Sequence, residues 1–559
     1  MFKIWMRLAL AAPLSLMASE APVAVAAPVA TSHAQLVRLF ADWRTFNHPQ
    51  IAHGRPDYSA QAMAAKAARL PELQRRLTAI DTTGWTASQR GDYRLVEAEM
   101  NGLDFFLRVL KPWARDPGFY QTVFAEMSDV PAHEGPSAEP NIDLYNFTYP
   151  LSAEGDAKLT ELLGAVSGLL ADAKANLAPS QAHDLWAYGD RAFAEQADVL
   201  AKLEAGTLIL NDLGAKRPAS LEGATPQLRT AVHNARVATE QFAQWVRAEA
   251  PRRTGPSGVG KANYDWYLKH VLLSPYDFDQ QKILLQRELD RSLASLRLEE
   301  VRERAAPPIA EISDPAAYRR MSEARTEKLY RFLVDAGFIH DRPYYHAALA
   351  GQMSEYTPPA DRNFFSHVTA VDPLPLSSHQ FHWIELARLR HEPHQSPVRD
   401  TPPLFNIYAD RSEGLATAME EIFMQAGLYD DIPHGRELVW IMLANRAARG
   451  LASLRVQANE IGLDEAGHFH AAWTPRGWSD VNSKLVGFEQ LLYLRQPGYG
   501  PSYIVGKLQL DHLLALASHR ADVEKRPFDN RTTFDAIFGS GIVPPAIIED
   551  EMAEATPAR

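Results

Sequence analysis

The chain of 559 residues contains no cysteine, which removes disulfide staples, thiolate zinc ligands and cysteine nucleophiles together. Any metal would have to be held by His, Asp or Glu. There is no basic excess either. Lys and Arg total 57 against 69 Asp and Glu, a net charge of −12, so no sequence-wide positive surface is offered to phosphate backbones or anionic lipid. Nucleic acid is not an expected partner. Past the first 26 residues no apolar run approaches the about 20 residues that a bilayer span requires, and no credible βαβ alternation is present. What remains is a large globular protein, 46% hydrophobic and long enough for a deep core.

The N-terminus reads differently. Lys3 and Arg7 precede an apolar run from Leu8 to Met17, and Ala24-Val25-Ala26 supplies small residues where a signal peptidase cuts. Residues 1–26 are therefore read as a secretory signal. The mature protein is expected to be periplasmic or secreted, without a membrane span.

Helical periodicity dominates thereafter. Tyr93, Val96, Met100, Leu103, Leu107 and Leu110 form one apolar stripe ahead of Pro112. Leu228, Val232, Ala235, Thr239, Phe242 and Val246 form another, and Ile283, Leu284, Leu289, Leu293 and Leu296 a third. An all-α fold with at most minor β structure is predicted. The Pro- and Gly-rich loop at 250–260 divides an N-terminal helical half, 27–250, from a C-terminal half, 261–559. Gly255 through Lys261 has the spacing of a phosphate loop, but Ala262 stands where the Ser or Thr belongs and the preceding segment is helical. It reads as a loop between helices.

Histidine and carboxylate density peaks between residues 379 and 421. His379 and His382 are three apart, so on a helix their rings share a face, with Glu385 one turn on. Two His from one helix and a carboxylate from a second are a usual donor set for hydrolytic zinc, and Glu413 fits the second place. Ser412 is expected to cap its helix and Gly427 to end it, leaving Glu413 in the first turn. His391-Glu392-Pro393-His394 is one residue short of HExxH, and Pro393 interrupts it. The same histidines also read as ordinary polar or core side chains. Glu420 and Glu421 read as a solvated or salt-bridged face, with Arg446 or Arg449 as partners. Further on, Pro497, Gly498, Gly500 and Pro501 form a turn ahead of a helix starting near Ser502, which presents Tyr503 and Lys507 on one face.

Three segments together, EGLATAMEEIFMQAGLYDD (413–431), QPGYGPSYIVGKLQ (496–509) and PWARDPGFY (112–120), resemble the bacterial domain-of-unknown-function 885 family. The likeness extends over most of the mature chain. It implies a helical body similar to zinc metallopeptidases, with an HExxPGHH segment followed by an EGWA segment whose Glu completes the metal site. Here EGLA supplies Glu413, whereas PLPLSSHQFHWIELARL keeps His379 and His382 but lacks the His-Glu pair and the Pro-Gly. The expectation is a zinc-dependent hydrolase of a peptide or related amide, taking a small-molecule or peptide substrate. His379, His382 and Glu413 are its metal ligands. Glu392 and His394 of the HEPH loop, with Tyr503 as oxyanion donor, are its catalytic groups, and Glu385 is a second candidate for the base. A non-hydrolytic periplasmic binding protein and a metal-free acid–base enzyme are the alternatives.

Overall fold

The computed structural model describes residues 32–127, 140–212 and 215–554. The signal at residues 1–26 and most of the Pro-rich stretch from Pro131 lie outside them. Helix accounts for nearly all of the ordered elements, as the stripes predict. Strand is confined to short pairings, the longest an antiparallel hairpin of β1 (Leu208–Asp212) and β2 (Ala215–Ala219) with Leu208 opposite Ala219.

Three helices open the fold: α1 (Ser32–Asn47), α2 (Ala60–Thr78) and α3 (Ala87–Phe105). Thr86 and Gln89 close a capping box at the start of α3. Beyond Phe105 the chain winds into a π turn and stops at Lys111, ahead of Pro112. Next come α4 (Ala153–Leu177), α5 (Arg191–Ala205) and α6 (Pro226–Glu249), with α6 packed against both of the others. All six residues of the α6 stripe, Leu228 to Val246, are buried as the spacing predicts. The 250–260 loop is pinned at both ends: the Gly255 N–H donates to the Gln181 carbonyl and the Gly260 N–H to the Gln457 carbonyl, each at 2.7 Å.

The stripe on α7 (Phe278–Arg302) needs correction, because Ile283 is 68% exposed while Gln281, Leu285, Glu288, Leu289, Ser292 and Leu296 point inward. A carboxylate is tolerated there because Arg291 Nε lies 3.0 Å and Lys507 Nζ 3.8 Å from Glu288.

The C-terminal helices that build the site are α8 (Leu374–His379), α9 (Phe381–His391), α10 (Ala409–Gln425), α11 (Gly435–Gln457), α12 (Leu463–Trp473), α13 (Lys484–Arg495) and α14 (Tyr499–Val523). α11 is buried along almost its whole length and packs on α7, α12 and α14. α10 and α14 touch backbone to backbone at two glycines. A Cβ on Gly506 would lie 1.9 Å from the Asp410 carbonyl oxygen, and one on Gly414 2.4 Å from the Gly506 Cα. One apolar core runs from Leu36 to Met552. Among the described residues no helix is long and apolar enough to cross a membrane.

Candidate functional site

His379 ends α8 and His382 lies just inside α9, because Gln380 leaves helical geometry between them. The two rings therefore do not share one unbroken helical face. They meet edge-on with centroids 5.3 Å apart, and His382 Nδ1 is 2.8 Å from the His379 carbonyl oxygen. Glu413 is also differently placed from expectation. α10 begins at Ala409, so Glu413 lies in its second turn and the buried Ser412 makes no cap. Gly427 follows the helix end with φ +96°, as predicted. Glycine at 414 lets α14 approach, which brings Tyr499 onto Glu413 and Tyr503 onto His379. α14 starts three residues earlier than the turn signals predict, and Pro501 falls in its first turn, where a missing N–H costs nothing.

These elements converge on the imidazole of His379. Its Nδ1 lies 2.9 Å from Glu420 Oε1, and its Nε2 lies 3.5 Å from Glu413 Oε2. The Arg446 guanidinium bonds both Glu420 oxygens at 2.6 and 2.7 Å and sits 3.2 Å from His379 Nδ1. The Tyr499 hydroxyl donates to Glu413 Oε1 at 2.6 Å. Tyr503 stacks on His379 with an interplanar angle of 17°, and Arg449 lies 4.2 Å over the Tyr503 ring while pairing with Glu489. Glu413 and Glu420 are fully buried; His379 is 8% exposed.

Burial, and then the neighbouring Arg446 charge, push the His379 imidazole down to about 4 against the opposing pull of Glu420. The ring is therefore neutral at pH 7. Nδ1 meets a donor, the Arg446 guanidinium at 3.2 Å, and an acceptor, Glu420 Oε1 at 2.9 Å, so these contacts alone do not fix which ring nitrogen carries the proton. Nε2 faces Glu413 Oε2 at 3.5 Å.

His379 and His382 also form part of the wall of a cavity of about 500 Å³, whose other walls come from the PWARDPGFY segment, Glu195 and α13. Arg495 of α13 grips Asp116 through two bonds of 2.7 and 3.0 Å, tying that segment to the C-terminal helices. Phe119, Phe124, Trp383 and Phe488 give the cavity its apolar surface.

Other residues singled out from the sequence lie elsewhere. Glu385 is buried against Arg411 at 2.6 Å. Lys507 pairs with Glu421 and Asp511 rather than with the His379 centre. Glu392 and His394 line a separate pocket beside α1 and α3. The HEPH loop thus does not fold back over His379, which corrects the expectation of one shared cavity. Glu392 follows the last residue of α9, where it accepts from the Tyr344 hydroxyl and from Arg342, and these bonds hold its carboxyl below the usual range. Its place in the chemistry of the His379 centre is taken by Glu420, which sequence reasoning put on a salt-bridged face. The spacing of Glu413, Thr417 and Glu420 along one helical face was the available signal. Nothing comparable marked Tyr499.

The arrangement does not fit a resident zinc ion. His379 and Glu413 face one another at a suitable separation, but no group of three His, Asp or Glu side chains able to hold a metal exists among the described residues. His382 Nδ1 is turned to a carbonyl, Glu413 Oε1 is taken by Tyr499, and two buried arginines stand beside the pair.

A profile of bacterial proteins of unknown function, DUF885, matches residues 45–332. The segments at 413–431 and 496–509 lie beyond that match. Among solved structures, a candidate lipoprotein of unknown function from Shewanella oneidensis aligns with a TM-score of 0.64 at 12% identity, covering 94% of this chain and 100% of that one. A candidate lipoprotein from Colwellia psychrerythraea aligns at 0.59 and 15% identity, covering 94% and 99%. At such identities the likeness establishes the fold. No curated protein matches.

Proposed function

We propose a function from the premise that the chain belongs to the DUF885 family of bacterial proteins: it is an exported acid–base enzyme that hydrolyses a peptide or related amide bond in the cavity beside His379. The observation that carries this reading is a neutral, buried imidazole on the cavity wall whose Nε2 lies 3.5 Å from the Glu413 carboxylate. Export is supported by the N-terminal signal pattern and by the description of both solved relatives as candidate lipoproteins.

In this mechanism Glu420 and Arg446 fix the ring, and Nε2 takes a proton from water as the water oxygen bonds to the amide carbon. The C–N bond then breaks, and the amine leaves with the proton that Nε2 returns. Glu413, held by Tyr499, orients the water and balances the transient imidazolium. Tyr503, stacked on the ring, donates to the oxyanion. The cavity holds the acyl chain against its aromatic walls.

The test is a screen of short peptides and acylated amines with the wild-type protein, His379→Ala and Glu413→Gln. Turnover lost in both variants supports the reading. Turnover that survives His379→Ala contradicts it. Ligand binding without turnover in the wild type would favour a non-hydrolytic binding protein, a reading to which the absent HExxPGHH segment also points.

A further inference from the structure

We infer that the guanidinium of Arg446 is the built-in cation of this centre, filling by charge and by contact the role that a divalent metal ion plays between a carboxylate and an imidazole. The inference rests on the metal-free reading of the His379 centre. Arg446 is fully buried, and so is Glu420. Its two terminal nitrogens reach both oxygens of that carboxylate, and one of them also meets His379 Nδ1 at 3.2 Å. Glu420 Oε1 and His379 Nδ1 are themselves 2.9 Å apart, close to the spacing of two ligands on a zinc whose bonds are about 2.0–2.2 Å long. Donor types and donor spacing suited to a cation are therefore present, and an arginine side chain occupies the space.

Charge explains why the two occupants exclude one another. Within the same buried region Glu420 is paired with Arg446 and Glu489 with Arg449, while the His379 ring is neutral. A divalent ion added to that set would lie beside a fixed guanidinium in a medium where charge is poorly screened. Arginine suits the role because its fork matches a carboxylate through two bonds and its charge does not titrate in the working range. Arg446 is thus a positioning residue. It acts through Glu420 and through His379 Nδ1 to hold the ring in place with Nε2 beside Glu413, independently of metal supply.

Zinc binding to the full chain, read by calorimetry and by metal content after gel filtration, tests this without any substrate. Wild type is expected to retain no zinc, and Arg446→Met to bind it about 100-fold or more tightly than wild type does. Zinc should also raise the melting temperature of Arg446→Met by about 2–4 °C and leave that of wild type unmoved. Arg446→Lys keeps the charge and is expected to stay zinc-free, so it carries the test if the methionine variant does not fold. Stoichiometric zinc in wild type or in Arg446→Lys overturns the inference, as does a folded Arg446→Met that gains no affinity. That last result, with turnover still lost in His379→Ala, would overturn the role of Arg446 alone. Turnover surviving in His379→Ala, with zinc gained in Arg446→Met, would instead remove the hydrolytic reading and leave the charge exchange standing.

Discussion

Two clusters of the same residue types lie about one helix apart in sequence and behave oppositely. Around His379 the carboxylates and guanidinium are sealed among α8, α10, α11 and α14. Around Glu392 the carboxylate is 46% exposed at its side chain, as is its partner Arg342. In the first cluster burial sets the chemistry: it forces the imidazole neutral and makes every charge depend on its partner. In the second, water screens the pair, and direct hydrogen bonds only hold the carboxyl low. His and Glu at close spacing in a sequence are thus not a site. The helices that close over them make one.

The largest expected difference between the clusters is in turnover. His379→Ala or Glu413→Gln should lower kcat by about 10²- to 10⁴-fold, the range of a lost general base or a lost charge-stabilising group. Glu392→Gln should leave it within about twofold. Equal losses in both clusters would erase the distinction. In stability, Arg446→Met strands Glu420 in the interior and should cost about 3–5 kcal/mol in chemical denaturation. Replacing Arg342 by Met should give no resolvable change.

A third comparison tests how the buried cluster is assembled. Gly506→Ala puts a methyl group into the Asp410 carbonyl and must part α10 from α14, at a cost of about 1–3 kcal/mol. Because Glu413 and Tyr499 sit on those two helices, turnover should fall with it. Gly54→Ala, where a Cβ meets nothing but φ is +75°, should cost about 1 kcal/mol through the backbone alone and leave turnover intact.

Proton linkage gives an effect that is graded with pH. The His379 pKa falls from 6.5 unfolded to about 4 folded, so the unfolded chain binds the extra proton between these values. Its contribution to stability is present above about pH 6.5 and is lost as pH falls towards about 4. His470, pushed by burial and Arg449 to about 3, adds in the same sense. Asp410, raised by burial to about 7, opposes both, because its stabilising proton is lost as pH rises. His379→Gln should therefore reduce the slope of stability between pH 4 and pH 6.5 by up to about 1.4 kcal/mol per pH unit relative to wild type.

Much of this was legible in the sequence. The helical stripes on α3 and α6 are in place because an apolar face at period 3.6 has one way to be buried. His379, Glu413 and Tyr503 were identified, and they meet. The rest depended on contacts that local pattern does not carry. Glu288 points inward on α7 because Arg291, three residues on, and Lys507, from a helix more than two hundred residues later, accompany it. α10 starts before Ser412 because its first turn is buried by its neighbours rather than capped by a side chain. The HEPH loop faces α1 and α3, a partnership set by how α9 ends. The pairing of Glu420 with Arg446 was among the partners the sequence offered, but only the crossing of α11 beneath α10 shows that the pair is buried and that it meets His379.

The central claim is that His379 is held neutral by its buried surroundings rather than by a bound metal. Nuclear magnetic resonance of the ring nitrogens in protein labelled at histidine, with His379→Gln to assign the signal, tests this directly in metal-free buffer. The account predicts a ring that stays neutral from pH 7 down to about 4, unaltered by chelator. A ring that titrates near 6.5, or one whose signal shifts when metal is stripped, would contradict it.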